Sequence, residues 1–363
     1  KDSEVSDKTI RKKENIYNKE SKGDLISFIH NENDFVDFDR DRLLFHMSSS
    51  EGSCICKGDL DNDGKDDLYI GGSSGYPGEI FLFRGGKYKK QDYVFLEKDK
   101  QSEDADCLIF DANGDGNNDI YVASGGNEFS VFSPELIDRI YFNNNLNFKK
   151  SEQILPTGIF SSSSVVISYD YDSDGDEDLF VGSRLIPQKY GLPATSYILE
   201  NNGDGIFTDV SQLIAPELKD LGMLTDAEWI DYDNDNDIDL IVVGQWMPIT
   251  IFENNDNRFT KNLKLGLNNS NGWWNTLEVA DIDNDGFDDL LVGNQGKNSR
   301  FKSSLEKPLT MYVNDFDDNG NIEQIVFQYN GDSSYTMCLR HDLVMQMPSF
   351  KTVSYTHLRA HET

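Results

Sequence analysis

The chain has 363 residues, 65 of them acidic and 33 basic, and a formal net charge of -32. A surface of that sign repels nucleic-acid phosphates and anionic lipids, so neither is expected as a partner. With 37% hydrophobic and 12% aromatic residues the chain can bury a core, and no stretch reaches the roughly 18 apolar residues of a membrane span.

Residues 1–23, KDSEVSDKTIRKKENIYNKESKG, are charged and poor in apolar groups, and are expected to form a flexible lead-in. The first residue is Lys and no secretory apolar segment comes after it, so the start of the gene product is expected to be processed or missing. Residues 24–51, DLISFIHNENDFVDFDRDRLLFHMSSSE, alternate too irregularly for a helix and predict a polar strand and loop leading into the chain from residue 52 on. His30, Glu32, Asp34 and His46 lie here, at no spacing that repeats a metal-ligand pattern. Cys54 and Cys56 share one face of a strand and cannot easily bridge each other. With Cys107 and Cys338 standing singly, all four are expected to be buried free thiols.

At residue 59 begins DLDNDGKDDLYIGG, whose pattern DxDxDGxxD plus an apolar run returns four more times. The copies open at Asp59, Asp111, Asp170, Asp231 and Asp281, in steps of 52, 59, 61 and 50 residues, which marks a repeat protein. Oxygen-bearing side chains at alternate positions of a tight loop converge on one centre, and Ca²⁺ takes six to eight oxygens at about 2.3 to 2.6 Å. Positions 1, 3, 5 and 9 would bind through side chains and position 7 through its main-chain oxygen. The expected ligands are Asp59, Asp61, Asp63, Lys65 and Asp67 in the first loop, and Asp111, Asn113, Asp115, Asn117 and Asp119 in the second. In the third they are Asp170, Asp172, Asp174, Asp176 and Asp178, and in the fourth Asp231, Asp233, Asp235, Asp237 and Asp239. The fifth offers Asp281, Asp283, Asp285, Phe287 and Asp289, for about five Ca²⁺ in all. Position 6 needs a left-handed residue and holds Gly64, Gly116, Gly175, Asn236 and Gly286.

An EF-hand opens in the same way but closes on a Glu at position 12. Here that position holds Ile70, Val122, Val181, Val242 and Val292, so the loop leads into a buried strand that begins at the position-9 Asp. An apolar run also precedes each loop, making it the turn of a hairpin. Third strands EIFLFR, RIYFN, SYILEN, ITIFEN and LTMYVN and fourth strands such as YVFLE, IFTDV and EQIVFQY then complete a unit of four antiparallel strands, the blade of a propeller. A sixth acidic loop, Asp315, Asp317, Asn319 and Glu323, comes 34 residues after the fifth and is expected on the second hairpin of unit five.

The DxDxDGxxDLxVG units resemble the VCBS and FG-GAP repeats of integrin α type propellers. The wider string, with HNENDFVDFDRDRLLFH, RLIPQKYGLPATSYILENNGDGIFTDV, GQWMPITIFEN and HDLVMQMPSFK, resembles bacterial proteins related to cartilage acidic protein, in which an ASPIC/UnbV domain usually comes after the propeller. Over residues 24–352 this resemblance implies an all-β, integrin α type β-propeller, seven-bladed in the family and with about five blades here. It also implies Ca²⁺ in the five loops. Asn113 and Asn236 depart from the pattern, so loops two and four are expected to be weaker. Residues 353–363, VSYTHLRAHET, continue none of this and read as a translated adapter scar, with the true chain expected to run on.

Catalytic signatures are sparse. Residues 71–75 fit GxSxG, but a nucleophile elbow needs a helix next, and GYPGEIFLF predicts a strand. Outside the last eleven residues the histidines are His30, His46 and His341, in no catalytic pattern. Trp246, Trp273 and Trp274 could stack on sugars, although packing between blades is the commoner use of such side chains. The expected function is a non-catalytic, calcium-binding propeller, extracellular, cell-surface or periplasmic, that presents loops to a protein or glycan. The alternative is a polysaccharide-degrading enzyme using acidic side chains and an open Ca²⁺ site.

Overall fold

Each acidic loop reverses the chain between two apolar runs, so the first product of every repeat is a hairpin. In the computed structural model, which describes residues 26–351, these hairpins grow into a series of antiparallel sheets. The expectations for residues 1–23 and 353–363 lie outside the described residues.

The first sheet has strands β1 (Ile55–Gly58), β2 (Asp67–Ile70), β3 (Glu79–Arg84) and β4 (Lys87–Gln91), hydrogen-bonded in chain order. The second has β5 (Glu103–Phe110), β6 (Asp119–Gly125), β7 (Arg139–Asn144) and β8 (Asn147–Lys150). The third has β9 (Ser162–Tyr169), β10 (Asp178–Leu185), β11 (Tyr197–Asn201) and β12 (Phe207–Asp209). The fourth has β13 (Met223–Ile230), β14 (Asp239–Met247), β15 (Thr250–Asn254) and β16 (Phe259–Lys261). Four successive four-stranded units, the last of them part of a six-stranded sheet, are propeller blades, and the expected all-β architecture is present. Among the described residues no sheet closes on itself.

The chain departs from expectation after the fourth sheet. Strands β17 (Gly272–Ala280) and β18 (Asp289–Asn294) form a hairpin, and β17 also pairs with the end of β14. Strands β19 (Thr310–Asn314), β20 (Glu323–Asn330) and β21 (Ser333–Thr336) then make a separate three-stranded sheet. LTMYVN is therefore the first strand of a new sheet, not the third of unit five, and EQIVFQY is its second. The sixth acidic loop joins these two, as the other five join theirs. The physical reason lies in residues 295–309, whose Lys, Ser and Gly offer no alternating apolar run that could supply a third strand against β18. In the first sheet, YVFLE is likewise not a strand. Gly85 and Gly86, at φ 63° and 80°, make a two-residue turn that returns the chain at once as β4, and Val94–Asp99 becomes a short helix.

The core lies between consecutive sheets, where the strands after the first four acidic loops are covered on both faces; against expectation β18, after the fifth, is not, with Leu291 61% exposed, because no third strand lies against it. Ile120, Tyr121 and Val122, and Leu179, Phe180 and Val181, are fully buried. One cluster joins Tyr69, Ile80 and Leu82 to Ile120, Val122 and Tyr141; the next joins Tyr121 and Ile140 to Leu179, Val181 and Leu199. Buried polar staples run through the same interfaces. The Asp104 carboxylate accepts from Tyr69 Oη (2.7 Å) and Gly72 N (2.8 Å) and pairs with the Arg139 guanidinium.

Two expectations for the first part of the chain are corrected. Cys56 and Cys107 form a disulfide, with Cα atoms 5.7 Å apart, while Cys54 and Cys338 are free. Spacing along one strand excludes only a bridge between near neighbours; packing of blades lays β1 beside β5 and brings two distant thiols together. Residues 26–51, in turn, form no strand. A short helix at Asp37–Arg40 interrupts an irregular strap that crosses several sheets. Asn31 O accepts from Ser73 Oγ (2.6 Å), Asp37 Oδ1 from Asn127 Nδ2 (2.6 Å), and Asp41 Oδ2 from Gln324 Nε2 (2.7 Å).

Candidate metal centres

The six acidic loops share one hydrogen-bond scheme. The position-1 carboxylate accepts from the backbone N–H of positions 5 and 6, as at Asp59 from Asp63 and Gly64 (3.1 and 2.7 Å) and at Asp315 from Asn319 and Gly320 (3.0 and 2.7 Å). Asp111, Asp170, Asp231 and Asp281 do the same. Position 6 is left-handed in every loop, Asn236 included at φ 73°, so its departure from Gly leaves the loop shape intact. Position 4 is left-handed too, at Asn62, Gly114, Ser173, Asn234, Asn284 and Asp318. The repeat pattern does not mark this position, although Asn, Asp and Gly there are a readable signal.

Position 9 opens the second strand, as expected, and also ties the blade together. Asp67 accepts from Leu60 N (3.0 Å) in its own loop and from Phe83 N (2.8 Å) on β3. Asp119 accepts from Ala112 and Asn143, and Asp239 from Tyr232 and Asn254, in the same way. The third-strand Asn side chains then reach back to the preceding loop, Asn143 to Leu60 O and Asn201 to Ala112 O, each at 2.9 Å. No spacing rule singled out these asparagines.

Ligand atoms within 4.8 Å of one another come from Asp59, Asp61 and Asp67; from Asp170, Asp172 and Asp178; and from Asp231, Asp233 and Asp239. The sixth loop gathers Asp315, Asp317 and Glu323. In the fifth, Asp281, Asp283 and Asp285 converge, and Asp289 is not among them. Loop two, with Asn113, brings no three carboxylates together. The position-5 side chains of loops two to six are turned onto the position-7 N–H, as with Asp115 to Asn117 (2.8 Å), Asp174 to Asp176 (3.1 Å) and Asp285 to Phe287 (2.9 Å). In loop one, Arg84 reaches Asp61 (2.5 Å) and Lys65 reaches Asp63 (2.9 Å), so two cations already face its carboxylates.

The donor set fits a hard divalent cation. Asp178 is 1% exposed and Glu323 0% exposed, yet Asp178 Oδ2 and Glu323 Oε1 are buried without a hydrogen-bond partner. Burial pushes Asp119 and Asp178 up to about 7 and Asp239 up to about 6, against the pull of the backbone donors. A divalent cation would satisfy such oxygens and remove the cost of ionising them.

The other marked residues serve local structure. His30 Nε2 meets Glu32 Oε1 at 2.6 Å, whereas His46 packs on Tyr190 and Trp273. The GxSxG stretch precedes β3, with Ser73 Oγ spent on Asn31 O. Trp274 Nε1 donates to Ser270 O (3.0 Å) and its ring joins the core beside Leu277, whereas Trp273 stacks at 5.8 Å from Trp246.

The FG-GAP-like repeat family matches residues 111–181, 170–242 and 231–292, each match running from the first Asp of one loop into the strand after the next loop. Together these span residues 111–292, half of the chain. Among solved structures, BBS1N in complex with ARL6DN aligns at 12% identity over 80% of this chain and 81% of that one, with a TM-score of 0.41. The V. cholerae biofilm matrix protein Bap1 aligns at 15% identity over 79% of this chain and 41% of its own, TM-score 0.33. The exotype rhamnogalacturonan lyase YesX aligns at 14% identity over 78% and 60%, TM-score 0.35. Scores this low carry no argument about function. No curated protein matches the sequence.

Proposed function

The chain belongs to the FG-GAP-like repeat family, and from that premise we propose that it is a non-catalytic recognition propeller whose loops are held by Ca²⁺ outside the cytoplasm. The observation that carries the reading is the pair of buried, unpartnered carboxylate oxygens, Asp178 Oδ2 and Glu323 Oε1, each in a cluster of three acidic side chains. Weak oxygen-only loops suit compartments where free Ca²⁺ is millimolar. The Cys56–Cys107 disulfide supports the same placement, since such bonds persist in oxidising surroundings. Stiffened blades present their connecting loops as a fixed surface, which is what recognition of a protein or glycan requires. The closer resemblance to chains related to cartilage acidic protein belongs to this proposal as well.

Loops that cannot form in the unfolded chain couple binding to folding. With a Kd of about 0.1 mM and about 1 mM Ca²⁺, each occupied loop adds roughly 1.4 kcal/mol. Several such loops approach the whole stability of a typical domain. Calorimetric melting should therefore move up strongly in Ca²⁺ relative to chelator, and Asp172→Ala should lower it in Ca²⁺ while changing little in chelator. Equal melting in Ca²⁺ and chelator would sink the calcium reading.

A further inference from the structure

Segments distant in sequence converge beside the strap. Phe38, Leu44, Phe45 and His46 come from the strap, Trp273 from β17, and Gln295, Ser299, Arg300 and Phe301 from the chain after β18. They line a shallow pocket of about 480 Å³. That volume suits one or two sugar rings. The aromatic wall is continuous. Trp273 lies 5.4 Å from Phe301 at an interplanar angle of 35°, and 5.2 Å from His46. Behind it stands Trp246, in the left-handed region at φ 63°, where a bulky residue is strained, with its Nε1 held by Tyr190 Oη at 3.1 Å. Strain of that kind persists where surrounding structure fixes a side chain for a purpose.

The charge of the lining is the second observation. In a chain of net charge -32, this pocket contains no acidic residue. Burial pushes His46 down to about 4, so its ring is neutral and Arg300 is the one cation of the lining. The Arg300 guanidinium lies 4.7 Å from the Phe45 ring centre and 5.8 Å from that of Phe301, so two aromatic rings hold it in place. Arg40, Arg84, Arg139 and Arg184 each hold a carboxylate, whereas Arg300 holds none among the described residues.

We propose that this pocket binds a carboxylate-bearing sugar, a hexuronate residue of a glycan, with the C–H face of the pyranose on Trp273 and Phe301 and the carboxylate on Arg300. A pyranose face buries apolar area against an aromatic plane, and a guanidinium already held in place by aromatic rings can take a carboxylate through two parallel N–H donors. Gln295 and Ser299 are the remaining polar groups of the lining; Ser299 Oγ donates to Gly296 O (3.2 Å) and accepts from Phe301 N (3.2 Å), which leaves the Gln295 amide to meet sugar hydroxyls. A cationic ligand is disfavoured by Arg300 and by the absence of an acid from the lining; Glu51, 3.9 Å from His46 Nε2, is already paired with Arg184. This assignment rests on the recognition part of the proposed function and is independent of the calcium part.

The test is isothermal titration of the full chain in millimolar Ca²⁺ with trigalacturonate and, in parallel, neutral galactotriose. Trigalacturonate should bind saturably and at least about tenfold more tightly than galactotriose. Arg300→Gln, at an exposed side chain, should bring the two within about twofold while the variant keeps a cooperative melt, lowered only by the lost contacts with Phe45 and Phe301. Trp273→Ala should weaken trigalacturonate by about tenfold or more. If that variant does not fold, Arg300→Gln decides alone. No saturation with trigalacturonate, equal affinity for both sugars, or a preference that survives Arg300→Gln would each overturn the proposal. Sequestration of Ca²⁺ by the uronate affects wild type and Arg300→Gln alike, so the comparison between them removes it. Melting with and without chelator is read separately, which keeps failure of this pocket distinct from failure of the calcium loops.

Discussion

Arg139 is buried with its charge, and its position shows how single residues hold neighbouring blades. Its guanidinium faces Asp104, whose carboxylate also serves Tyr69 Oη and Gly72 N across the boundary between the first two sheets. Removing one member of such a pair leaves an uncompensated charge in a dry place. Arg139→Leu should cost about 3 to 5 kcal/mol in denaturant melts, and Arg139→Leu with Asp104→Asn should cost clearly less. A single variant with near-normal stability would show that water reaches the pair. At this scale the sequence was most legible where one residue type has one conformational use, as with Gly64, Gly116, Gly175 and Gly286 at position 6. It was least legible for Asn143 and Asn201, because their partners, Leu60 O and Ala112 O, lie in the preceding blade.

Hairpins are the elements that sequence predicts best here, because a metal-loop pattern marks the turn and an apolar run marks each strand. All six acidic loops join a first strand to a second, as the local pattern requires. Assigning the later strands failed where tertiary pairing decides. LTMYVN carries the apolar spacing of a third strand, yet its partner is β20, because the nearer β18 is reached through a polar segment with a different course. The Cys56–Cys107 link was hidden for the same reason, since β1 and β5 are neighbours only once blades stack. Its sequence separation of 51 residues corresponds to about 4 kcal/mol in the chain-entropy account of cross-links. Cys56→Ser should lower stability by an amount of that order, and reductant should lower the melting temperature of wild type and not of the variant. If reductant leaves wild type unchanged, the link contributes nothing in solution.

Across the whole molecule the excess of acid has a titration consequence. Away from the acidic loops, burial pushes Glu103 up to about 9, and Asp106 and Glu228 up to about 7. Each of these groups holds its proton more tightly in the folded chain than in the unfolded one, where carboxyls titrate near about 4. Their contribution is therefore fully present below pH of about 4 and is lost as pH rises through the folded values. In chelator, melting temperature should fall between pH of about 6 and about 9, and Glu228→Gln together with Glu103→Gln should flatten that fall. A metal-free protein that gains stability over this interval would contradict the assigned environments.

The strap gives the molecule one further property, which concerns when it can become native. Arg42 N donates to Gln346 Oε1 (3.1 Å), and Gln324 Nε2 donates to Asp41 Oδ2 (2.7 Å), contacts that span about three hundred residues of chain. The hairpins can form one by one as the polypeptide is made, since each depends on neighbours close in sequence. The strap must wait until residue 346 exists. Such distant contacts carry the largest loop-closure cost and come late, so the earliest-made part of the described chain is among the last to be fastened. Until then the faces that the strap covers, those holding Asn127, Tyr190 and Trp273 among them, are open to the ribosome's surroundings. The beginning of the described chain thus acts as a clasp, closed by its end.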